Sequence, residues 1–480
     1  MNYSMIFYII GWILNMEAAL MLPSAVVAVI YGEKSLWAFV AAMSLCLLFG
    51  LPLVKRRPEN HIFYARDSAV TVALSWIFMS IMGSLPFLFS GSISHPVDAL
   101  FETVSGFTTT GASILSDVEV LPRSVTFWRS FTHWIGGMGV LVFLLCLLPM
   151  TGGGYHMNLM KAESPGPSVS KLVPRVQATA KILYGLYIFM SIIELVLLLL
   201  GSMPLFDALC VTFGTAGTGG FGIKNDSMGG YSLYLQSVTT VFMILFGVNF
   251  NVYFLLYMRK PKDVLHCEEA KWYFAIIAAS ILVITCFIRG YFPSLGLAFH
   301  HAAFQVGSII TTTGFATTNF DVWPTVPKTI LVLLMFIGAC AGSTGGGLKV
   351  SRVVLLFKTM TKELAQNLHP RIVKKIKFEG HVVDHDTMRA VNVFLVAYVL
   401  IFATSTLLIG VDNYDLTTNF TAVAATLNNI GPGLELVGPT QNFGIFSPFS
   451  KLILIFDMLA GRLEIFPLLL LFVRDTWRKF

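Results

Sequence analysis

The stretch "SIITTTGFATTNF" at 308–320 places three consecutive threonines and a glycine directly after an amphipathic run. A closely similar string, "VSGFTTTGAS", occupies 104–113. Hydroxyl groups and a flexible glycine pack poorly in hydrocarbon, and non-helical backbone at membrane depth is tolerated only where it is buried in protein or lines a water-filled cavity. These two segments therefore predict polar turns that border an aqueous path through an otherwise apolar protein.

The composition is that of a polytopic membrane protein. Of the 480 residues, 55% are hydrophobic and only 12% are charged, whereas a soluble domain carries roughly 25% charged residues. The net charge of +6 comes from short Lys and Arg blocks between apolar runs, so we expect the lipid bilayer and no nucleic acid as a partner. The six cysteines are scattered singly and predict neither a disulfide framework nor a metal pair.

Ten apolar segments are long enough to cross a bilayer, which takes about 20 residues of α-helix. They lie at 5–30, 36–54, 68–90, 126–149, 178–200, 232–257, 272–293, 328–356, 388–410 and 450–473. Basic residues cluster in alternate loops, and the positive-inside rule therefore places those loops and both termini in the cytoplasm. The basic loops are 55–67, 150–176, 258–262, 358–377 and 474–479. The first segment has no Lys or Arg before it, so we expect a retained helix rather than a signal peptide.

A segment of one composition recurs four times on the external side: a short amphipathic stretch followed by a Gly-rich turn with Thr or Asn. The copies lie at 95–113, 203–222, 295–316 and 414–433. Each stretch is too short to cross a bilayer and suits a re-entrant half-helix. We therefore expect an all-α polytopic membrane protein with four pseudo-symmetric helix–half-helix–helix repeats around a central pore, plus an extra N-terminal helix pair. The expected boundaries are 1–64 for the pair and 65–160, 170–262, 268–365 and 380–480 for repeats 1 to 4.

The four turns have the chemistry of a monovalent-cation site. Each half-helix would point its C-terminal end, which carries roughly −0.5 charge, at the centre of the ring. Main-chain carbonyls would surround an ion there, together with the hydroxyls of Thr109, Thr110, Thr218, Thr312 and Thr313. The turns contain no carboxylate, whereas protein sites for Mg²⁺ or Ca²⁺ usually supply ionised oxygen ligands. The turns thus favour a monovalent-cation selectivity filter.

Five motifs give the chain a resemblance to a known family. They are "FETVSGFTTTGA" (101–112), "TTTGFATT" (311–318), "GACAGSTGGGLKVSR" (338–352), "AATLNNIGPG" (424–433) and "GRLEIFPLLLL" (461–471). They closely resemble the Trk/Ktr/HKT superfamily of potassium transporters. The extra N-terminal pair of spans is similar to the Trk-type membrane subunit, and the resemblance covers essentially the whole chain.

The resemblance implies a filter and its ion. K⁺ would be bound at these residues only: Thr108, Thr109, Thr110, Gly111, Gly217, Thr218, Gly219, Gly220, Thr311, Thr312, Thr313, Gly314, Asn428, Asn429, Ile430 and Gly431. Members of the family tend to keep a glycine at one filter position of each repeat, and all four are present. Their presence favours K⁺ over relatives that place serine in the first repeat and pass Na⁺.

The resemblance also assigns 337–349 to an intramembrane gate loop below the filter, interrupting the second helix of repeat 3. The gate residues would be Gly338, Gly342, Ser343, Thr344, Gly345, Gly346, Gly347 and Lys349. Glycines in a helix cost about 1 kcal/mol each relative to alanine, so a break is expected there. Two other interpretations are a small-residue helix-packing surface and a phosphate-binding loop. Leu348 argues against the phosphate-binding loop, because it displaces Lys349 from the GxxxxGK[ST] pattern.

Arg462 lies within the last apolar segment, where an arginine costs about 2.5–3.5 kcal/mol at a helix centre. In the family this position faces the pore below the filter and acts as an electrostatic barrier. The alternative is a structural ion pair with Asp457 or Glu464.

Several acidic residues have two interpretations. Glu102, Asp207 and Asp415 near the external ends of the half-helices would concentrate cations, or Asp207 and Asp415 would cap helix N-termini, which we favour. The cluster His381, Asp384, His385 and Asp386 is interpreted as a solvated loop rather than a metal site.

The sequence predicts a channel-like K⁺ uptake protein and no enzyme, because no HExxH, GxSxG or facing aspartate pair occurs in the spans. Family membership implies a homodimer in the bacterial inner membrane and a cytosolic TrkA-like regulatory subunit. A nucleotide (ATP/ADP or NAD) would act only through that subunit, since the chain has no dinucleotide fingerprint. The basic loop 358–377 would dock the subunit or anionic lipid headgroups. The alternatives are a Na⁺- or H⁺-coupled K⁺ symporter and a monovalent-cation pathway with weak selectivity.

Overall fold

The computed structural model describes residues 1–59, 64–139, 176–372 and 375–478. Within those ranges, six helices are long and apolar enough to cross a membrane, and two shorter helices that meet at a bend of 88° form a seventh candidate span. The six are Tyr3–Ile30, Leu36–Lys55, Ala65–Phe89, Ala180–Leu200, Glu268–Tyr291 and His385–Asp412, and the bent pair is Leu233–Phe246 with Phe250–Tyr257. The expected all-α polytopic membrane fold is confirmed. The basic loop 150–176, the end of repeat 1 at 160 and the start of repeat 2 at 170 lie outside the described residues.

Four units of a long helix, a half-helix and a second helix follow one another along the chain. The first helices of repeats 1 to 4 are Ala65–Phe89, Val176–Leu200, Glu268–Ile288 and His385–Ile409. The half-helices are Pro96–Phe107, Leu205–Ala216, Leu295–Ile310 and Leu416–Leu427. The second helices are Arg123–Gly137, Leu233–Phe246, Thr325–Ile337 and Pro448–Arg462. At 1.5 Å per residue the half-helices span roughly 18–24 Å, less than the ~30 Å hydrocarbon core.

The repeats pack in cyclic order. The first helix of every repeat contacts its own half-helix, and the second helix contacts both its own half-helix and that of the following repeat. The cycle closes because the second helix of repeat 4 contacts the half-helix of repeat 1. The four half-helices are therefore enclosed by helices on all sides, which is the environment that short re-entrant segments need at membrane depth.

All four second helices are short, with 13 to 15 residues each. The expected spans 232–257 and 450–473 are not single straight helices: the first bends at 247–249, and the second breaks at Glu464 and Ile465, which have φ values of 54° and 67°. The segment 328–356 is interrupted at 338–349, as expected. Residues after 139 in the segment 126–149 lie outside the described ranges. Hydropathy does not detect these breaks because apolar residues continue through them.

Several further elements flank the ring. The N-terminal helices Tyr3–Ile30 and Leu36–Lys55 pack on each other and on the first helix of repeat 1. Between repeats 3 and 4, Lys377–Phe378 and His381–Val382 form a short antiparallel hairpin that the sequence analysis did not predict. Two smaller helices complete the described chain, Pro261–His266 before repeat 3 and Phe466–Leu469 after repeat 4. The helix Val350–Leu368 continues repeat 3 beyond the interruption.

Candidate functional site: a ring of four half-helix turns

Each half-helix ends in the same hydrogen-bonded turn. In repeat 1 the backbone N–H of Thr109 donates to the Gly106 carbonyl at 3.1 Å, and that of Thr110 donates to the Ser105 carbonyl at 2.9 Å. This pair of bonds is a Schellman motif, which requires a left-handed residue after the last helical turn. The left-handed residues are Thr109 (φ 55°), Thr218 (54°), Thr312 (59°) and Asn429 (56°). Bonds in the same register end the other three half-helices, so the four turns share one backbone conformation.

A glycine with positive φ follows two residues after each left-handed residue. These are Gly111 (80°), Gly220 (73°), Gly314 (86°) and Gly431 (101°). A Cβ on each would overlap or crowd a carbonyl of the next repeat in the ring: Gly219 for Gly111, Thr313 for Gly220, Ile430 for Gly314 and Thr110 for Gly431. The four turns therefore contact one another in a closed cycle. Both the backbone conformation and the close approach require glycine.

The turns are largely buried, and three of their four positive-φ glycines are partly exposed. Gly111, Gly220 and Gly314 are partly exposed, whereas the neighbouring Thr110 and Thr313 are fully buried. This pattern suits a narrow opening that main-chain atoms, rather than side chains, border.

The threonine hydroxyls mostly brace the turns. The hydroxyls of Thr108 and Thr110 lie 2.8 Å apart, and those of Thr311 and Thr313 repeat this contact at 2.8 Å. The Thr218 hydroxyl donates to the Gly217 carbonyl at 2.6 Å. These bonds occupy the hydroxyls of Thr110, Thr218 and Thr313, whereas the buried Thr109 hydroxyl has no hydrogen-bonding partner within the described residues.

Repeat 4 is joined to repeat 1 by an asparagine. The Asn429 side-chain amide donates to the Thr110 hydroxyl at 3.0 Å and to the Met458 carbonyl at 2.9 Å. Beside it, the Tyr398 hydroxyl donates to Asn428 Oδ1 at 2.9 Å. Asparagine thus replaces threonine in repeat 4 with a side chain that reaches across to the neighbouring repeat.

A buried ion pair forms hydrogen bonds with the chain segments that follow the turns of repeats 1 and 2. Arg129 Nε donates to Glu102 Oε1 at 2.6 Å, and both side chains are at most 2% exposed. The carboxylate also accepts the Ile114 N–H at 3.0 Å, and Arg129 donates to the Gly222 carbonyl at 2.9 Å. Glu102 therefore lies within its half-helix, Pro96–Phe107, and pairs with a buried arginine, rather than near the external end of the half-helix, where the sequence analysis had placed it. Removing one partner of such a pair typically costs about 3–5 kcal/mol.

His133, one helical turn after Arg129, bridges the same two repeats. Its Nδ1 lies 2.8 Å from the Gly106 carbonyl, and its Nε2 accepts the Phe221 N–H at 3.3 Å. Because Nε2 accepts, the proton must be on Nδ1, and the imidazole is neutral. The sequence analysis did not single out Arg129 or His133, although polar side chains inside an apolar span are a signal of function.

The interrupted segment of repeat 3 lies directly against the turn of its own repeat. Gly338, Gly342 and Gly347 have φ values of 71°, 69° and 79°, and the non-glycine Lys349 has 77°. The Gly346 N–H donates to the Thr312 hydroxyl at 2.6 Å. We call residues 338–349 the gate loop.

Hydrogen bonds from its own lysine and from the bend in repeat 2 hold the gate loop in its conformation. The Lys349 ammonium, which is 3% exposed, donates to the Gly345 carbonyl. The Cys340 N–H donates to the Gly247 carbonyl at 3.1 Å, and the Phe250 N–H donates to the Gly342 carbonyl at 3.0 Å. The loop is therefore a defined structure and not a simple glycine-rich packing surface.

Arg462 is the last residue of its helix and bonds carbonyls on two elements. It donates to the Thr344 carbonyl of the gate loop at 2.9 Å, to the Gly137 carbonyl at 2.9 Å, and to the Gly136 carbonyl. Of the two acids considered as its partner, Glu464 pairs with Arg352 at 2.5 Å, and Asp457 accepts the Ser405 hydroxyl at 2.6 Å. Arg462 thus connects repeats 4, 1 and 3 on the side of the ring where the second helices end.

The remaining predicted residues lie apart from the ring. Asp415 caps the fourth half-helix by accepting the Thr418 N–H at 2.8 Å, as favoured. Asp207 instead accepts the Tyr231 hydroxyl at 2.9 Å, and Pro204 occupies the cap position. Within the described ranges, no group of three or more potential metal ligands comes together, and that includes the cluster at 381–386.

The fold and the ring define a polytopic membrane protein built to pass an ion. Residues 35–479 match the TrkH family, described as cation transport proteins. The Trk system potassium uptake protein TrkH of Vibrio parahaemolyticus is 37% identical over 490 residues and covers all of both chains. The protein of that name from Salmonella typhimurium is 36% identical over the full length of both. TrkG of Escherichia coli is 34% identical over 98% of this chain and 97% of its own.

A solved structure agrees with these similarities. The crystal structure of the potassium transporter TrkH from Vibrio parahaemolyticus matches this fold with a TM-score of 0.89, at 35% identity and over 100% of both chains. The chain belongs to the TrkH family of cation transport proteins. The expectation of a transport protein rather than an enzyme is thereby confirmed.

Proposed function

We propose that this protein takes up K⁺ by channel-like permeation through the ring of four turns. The observation that carries the proposal is the closed cycle in which each filter glycine abuts a carbonyl of the next repeat. Such a ring fixes main-chain oxygens around one axis, as selectivity filters do. Relatives of similar length and more than 30% identity are named potassium uptake proteins, which supports K⁺ as the transported and filter-bound ion.

The chemistry of the ring favours a monovalent ion. Four half-helix C-termini, each with roughly −0.5 charge, converge on the turns. Each filter turn carries neutral oxygens only, and the ion pair of Glu102 with Arg129 lies behind them. A divalent cation would lack the ionised ligands that it usually takes.

The gate loop and Arg462 are proposed to control the path. The loop lies against Thr312 of the filter, and Arg462 reaches it through the Thr344 carbonyl. A positive charge at this place raises the energy of a cation passing below the filter. The loop would occlude the pore until a cytosolic nucleotide-binding subunit, TrkA-like, releases it.

The assembly and location are proposals that family membership supports. We place the protein in the bacterial inner membrane as a homodimer, with both termini in the cytoplasm. The basic segment 358–377, which was expected to be a loop but is helical as far as Leu368, faces the regulatory subunit. A nucleotide acts only through that subunit. The repeat boundaries 65–160, 170–262, 268–365 and 380–480 stay predictions.

A coupled K⁺ symporter is the second candidate, and a buried carboxyl group favours it. Glu17 is 1% exposed, and neither of its carboxyl oxygens has a hydrogen-bonding partner in the described parts of the chain. A protonatable group of this kind inside a membrane protein is a hypothesis of function by default. Na⁺ coupling or weak K⁺/Na⁺ selectivity remains the other alternative to a K⁺-selective pore.

The test is ⁸⁶Rb⁺ uptake into liposomes containing the purified chain, with K⁺ or Na⁺ as competitor. We expect K⁺ to block uptake and Na⁺ not to, and Gly314→Ser to erode that preference by roughly an order of magnitude, because its side chain displaces the Ile430 carbonyl. Gly91→Ser is the matched control: Gly91 also has positive φ (72°), but no atom lies within 4 Å of its Cβ position.

Three outcomes separate the alternatives. Equal competition by Na⁺ in the wild type contradicts K⁺ selectivity. Uptake that requires an imposed H⁺ or Na⁺ gradient favours the symporter, and Glu17→Gln then identifies its proton site. If the chain alone shows no uptake, the assay is repeated with the regulatory subunit, and continued absence of uptake contradicts the proposal.

A further inference from the structure

Glu269 is a buried carboxylate beside the gate loop that the function described above does not use. It lies in the first turn of the helix Glu268–Ile288 and is 2% exposed. Its Oε1 accepts the Ala341 N–H at 2.7 Å and the Ser351 N–H at 3.0 Å. A charged acceptor makes these bonds stronger than neutral ones.

One of the two N–H groups lies near the start of the gate loop, and the other lies just after its end. Ala341 lies near its start, and Ser351 lies in the first turn of the helix that follows it. An N–H in a first turn has no acceptor within its own helix and therefore needs one from elsewhere. One carboxylate oxygen thus accepts hydrogen bonds from both Ala341 and Ser351 and holds these two positions together, although they are ten residues apart in the chain.

The other carboxylate oxygen reaches the bend in repeat 2. Asn249 Nδ2 lies 3.4 Å from Glu269 Oε2, while Asn249 Oδ1 accepts the Asn251 N–H at 2.9 Å and so begins the helix after the bend. The same bend binds the loop through the Gly247 carbonyl, which accepts the Cys340 N–H. Glu269 therefore contacts three elements: the gate loop, the helix that follows it and the bend in repeat 2.

We propose that Glu269 is a positioning residue that holds the gate loop in the closed position. Arg462 binds the middle of the loop at Thr344, whereas Glu269 binds its two ends. This inference rests on the proposed function only in taking the loop to be the gate. Loss of the carboxylate frees two backbone N–H groups and favours the loop's departure, while the filter itself keeps its structure.

Cys340 provides a direct measurement of loop release, because it lies in the gate loop and is 0% exposed. In the full chain with the other five cysteines replaced by alanine, reconstituted in lipid nanodiscs, we would measure the rate of maleimide labelling. We expect Glu269→Ala to label about tenfold faster than the parent, since charged hydrogen bonds are lost. Glu269→Gln keeps an acceptor oxygen and should label at an intermediate rate.

The control is Glu268→Ala, which removes the neighbouring carboxylate. Glu268 pairs with Lys358 at 2.5 Å and not with the loop, so we expect the parent labelling rate. Unchanged labelling in both Glu269 variants overturns the proposal, and the glutamine variant decides alone if the alanine variant does not fold.

Ion flux separates this inference from the proposed function. We expect Glu269→Ala to raise ⁸⁶Rb⁺ uptake in the absence of any regulatory subunit and to leave the K⁺/Na⁺ preference unchanged, a gain that a folding defect does not produce. Faster labelling without a gain in uptake would support Glu269 as the anchor of the loop and contradict the loop as the gate.

Discussion

At the scale of single residues, Arg462 shows how one side chain serves two purposes. Its guanidinium bonds carbonyls of the gate loop and of repeat 1 at the same time, which needs the planar, multi-donor geometry of arginine. A lysine at this position would keep the positive charge but lose the planar guanidinium group. Substitutions that separate charge from geometry therefore test its function.

We predict that Arg462→Ala raises ⁸⁶Rb⁺ uptake by roughly tenfold, since both the barrier and the bonds to the loop are lost. Arg462→Lys keeps the charge but cannot bond both elements, so uptake should fall between the wild type and the alanine variant. Uptake is measured in liposomes at equal protein content. Wild-type uptake by the alanine variant would exclude Arg462 as a barrier.

The sequence reveals single residues when their chemistry is unusual for a membrane span. The four glycines of the ring could be predicted because a Gly-rich turn with Thr or Asn repeats four times. The positions of Glu102 and Glu269 could not, because their partners are far away in the chain: Arg129 is 27 residues from Glu102, and Ala341 is 72 residues from Glu269. Only the folded structure shows which group forms an ion pair or hydrogen bond with each buried charged side chain.

At the scale of secondary structure, the cap of the fourth half-helix sets a pH dependence. The Thr418 hydroxyl and N–H donate to the Asp415 carboxylate and hold its pKa below the usual value. Because the pKa is lower in the folded state, the cap's contribution is fully present above the unfolded pKa of about 3.9 and is lost as the pH falls through the folded value.

We predict that Asp415→Ala lowers the free energy of unfolding by about 1 kcal/mol or less, since the cap is exposed to solvent. Asp415→Asn retains a capping oxygen and should match the wild type near pH 7, but without the decline in stability below pH 4 that this carboxylate contributes. Thermal unfolding in detergent from pH 3 to pH 7 measures both effects. An alanine variant as stable as the wild type would contradict the cap.

The second helices mark the limit of prediction for secondary structure. Their starts and their apolar character follow from hydropathy, but their common ends do not. At Gly247 the chain passes so close to Tyr273 and Thr311 that a side chain would not fit. Asn249 then begins a new helix at 88° to the last. These breaks depend on contacts with the neighbouring repeat, which a single sequence does not display.

At the scale of the whole molecule, the positive-inside rule and the cyclic packing together predict an orientation. If the half-helices enter from outside, the loops between half-helix and second helix are external, and the hairpin at 377–382 is cytoplasmic. Val120 in one such loop is 74% exposed, and Val382 in the hairpin is 50% exposed, so both positions accept a probe.

We predict that Val120→Cys, in a chain otherwise free of cysteine, reacts with a membrane-impermeant maleimide in intact cells. Val382→Cys should react only after permeabilisation, because positive loops are retained inside. Labelling is read by gel shift, with the cysteine-free chain as the control. The opposite pattern would reverse the proposed orientation of the pore.

One polypeptide forms the closed cycle of glycines and carbonyls, and the cycle does not require four identical subunits. A change at Gly111 therefore alters one quarter of the ring, and the other three turns keep their own sequences. In a tetramer the same substitution would appear four times at once. If the ring is the filter, we expect ion preference to change by one quarter of the ring at a time, so that intermediate selectivities arise without loss of the pore.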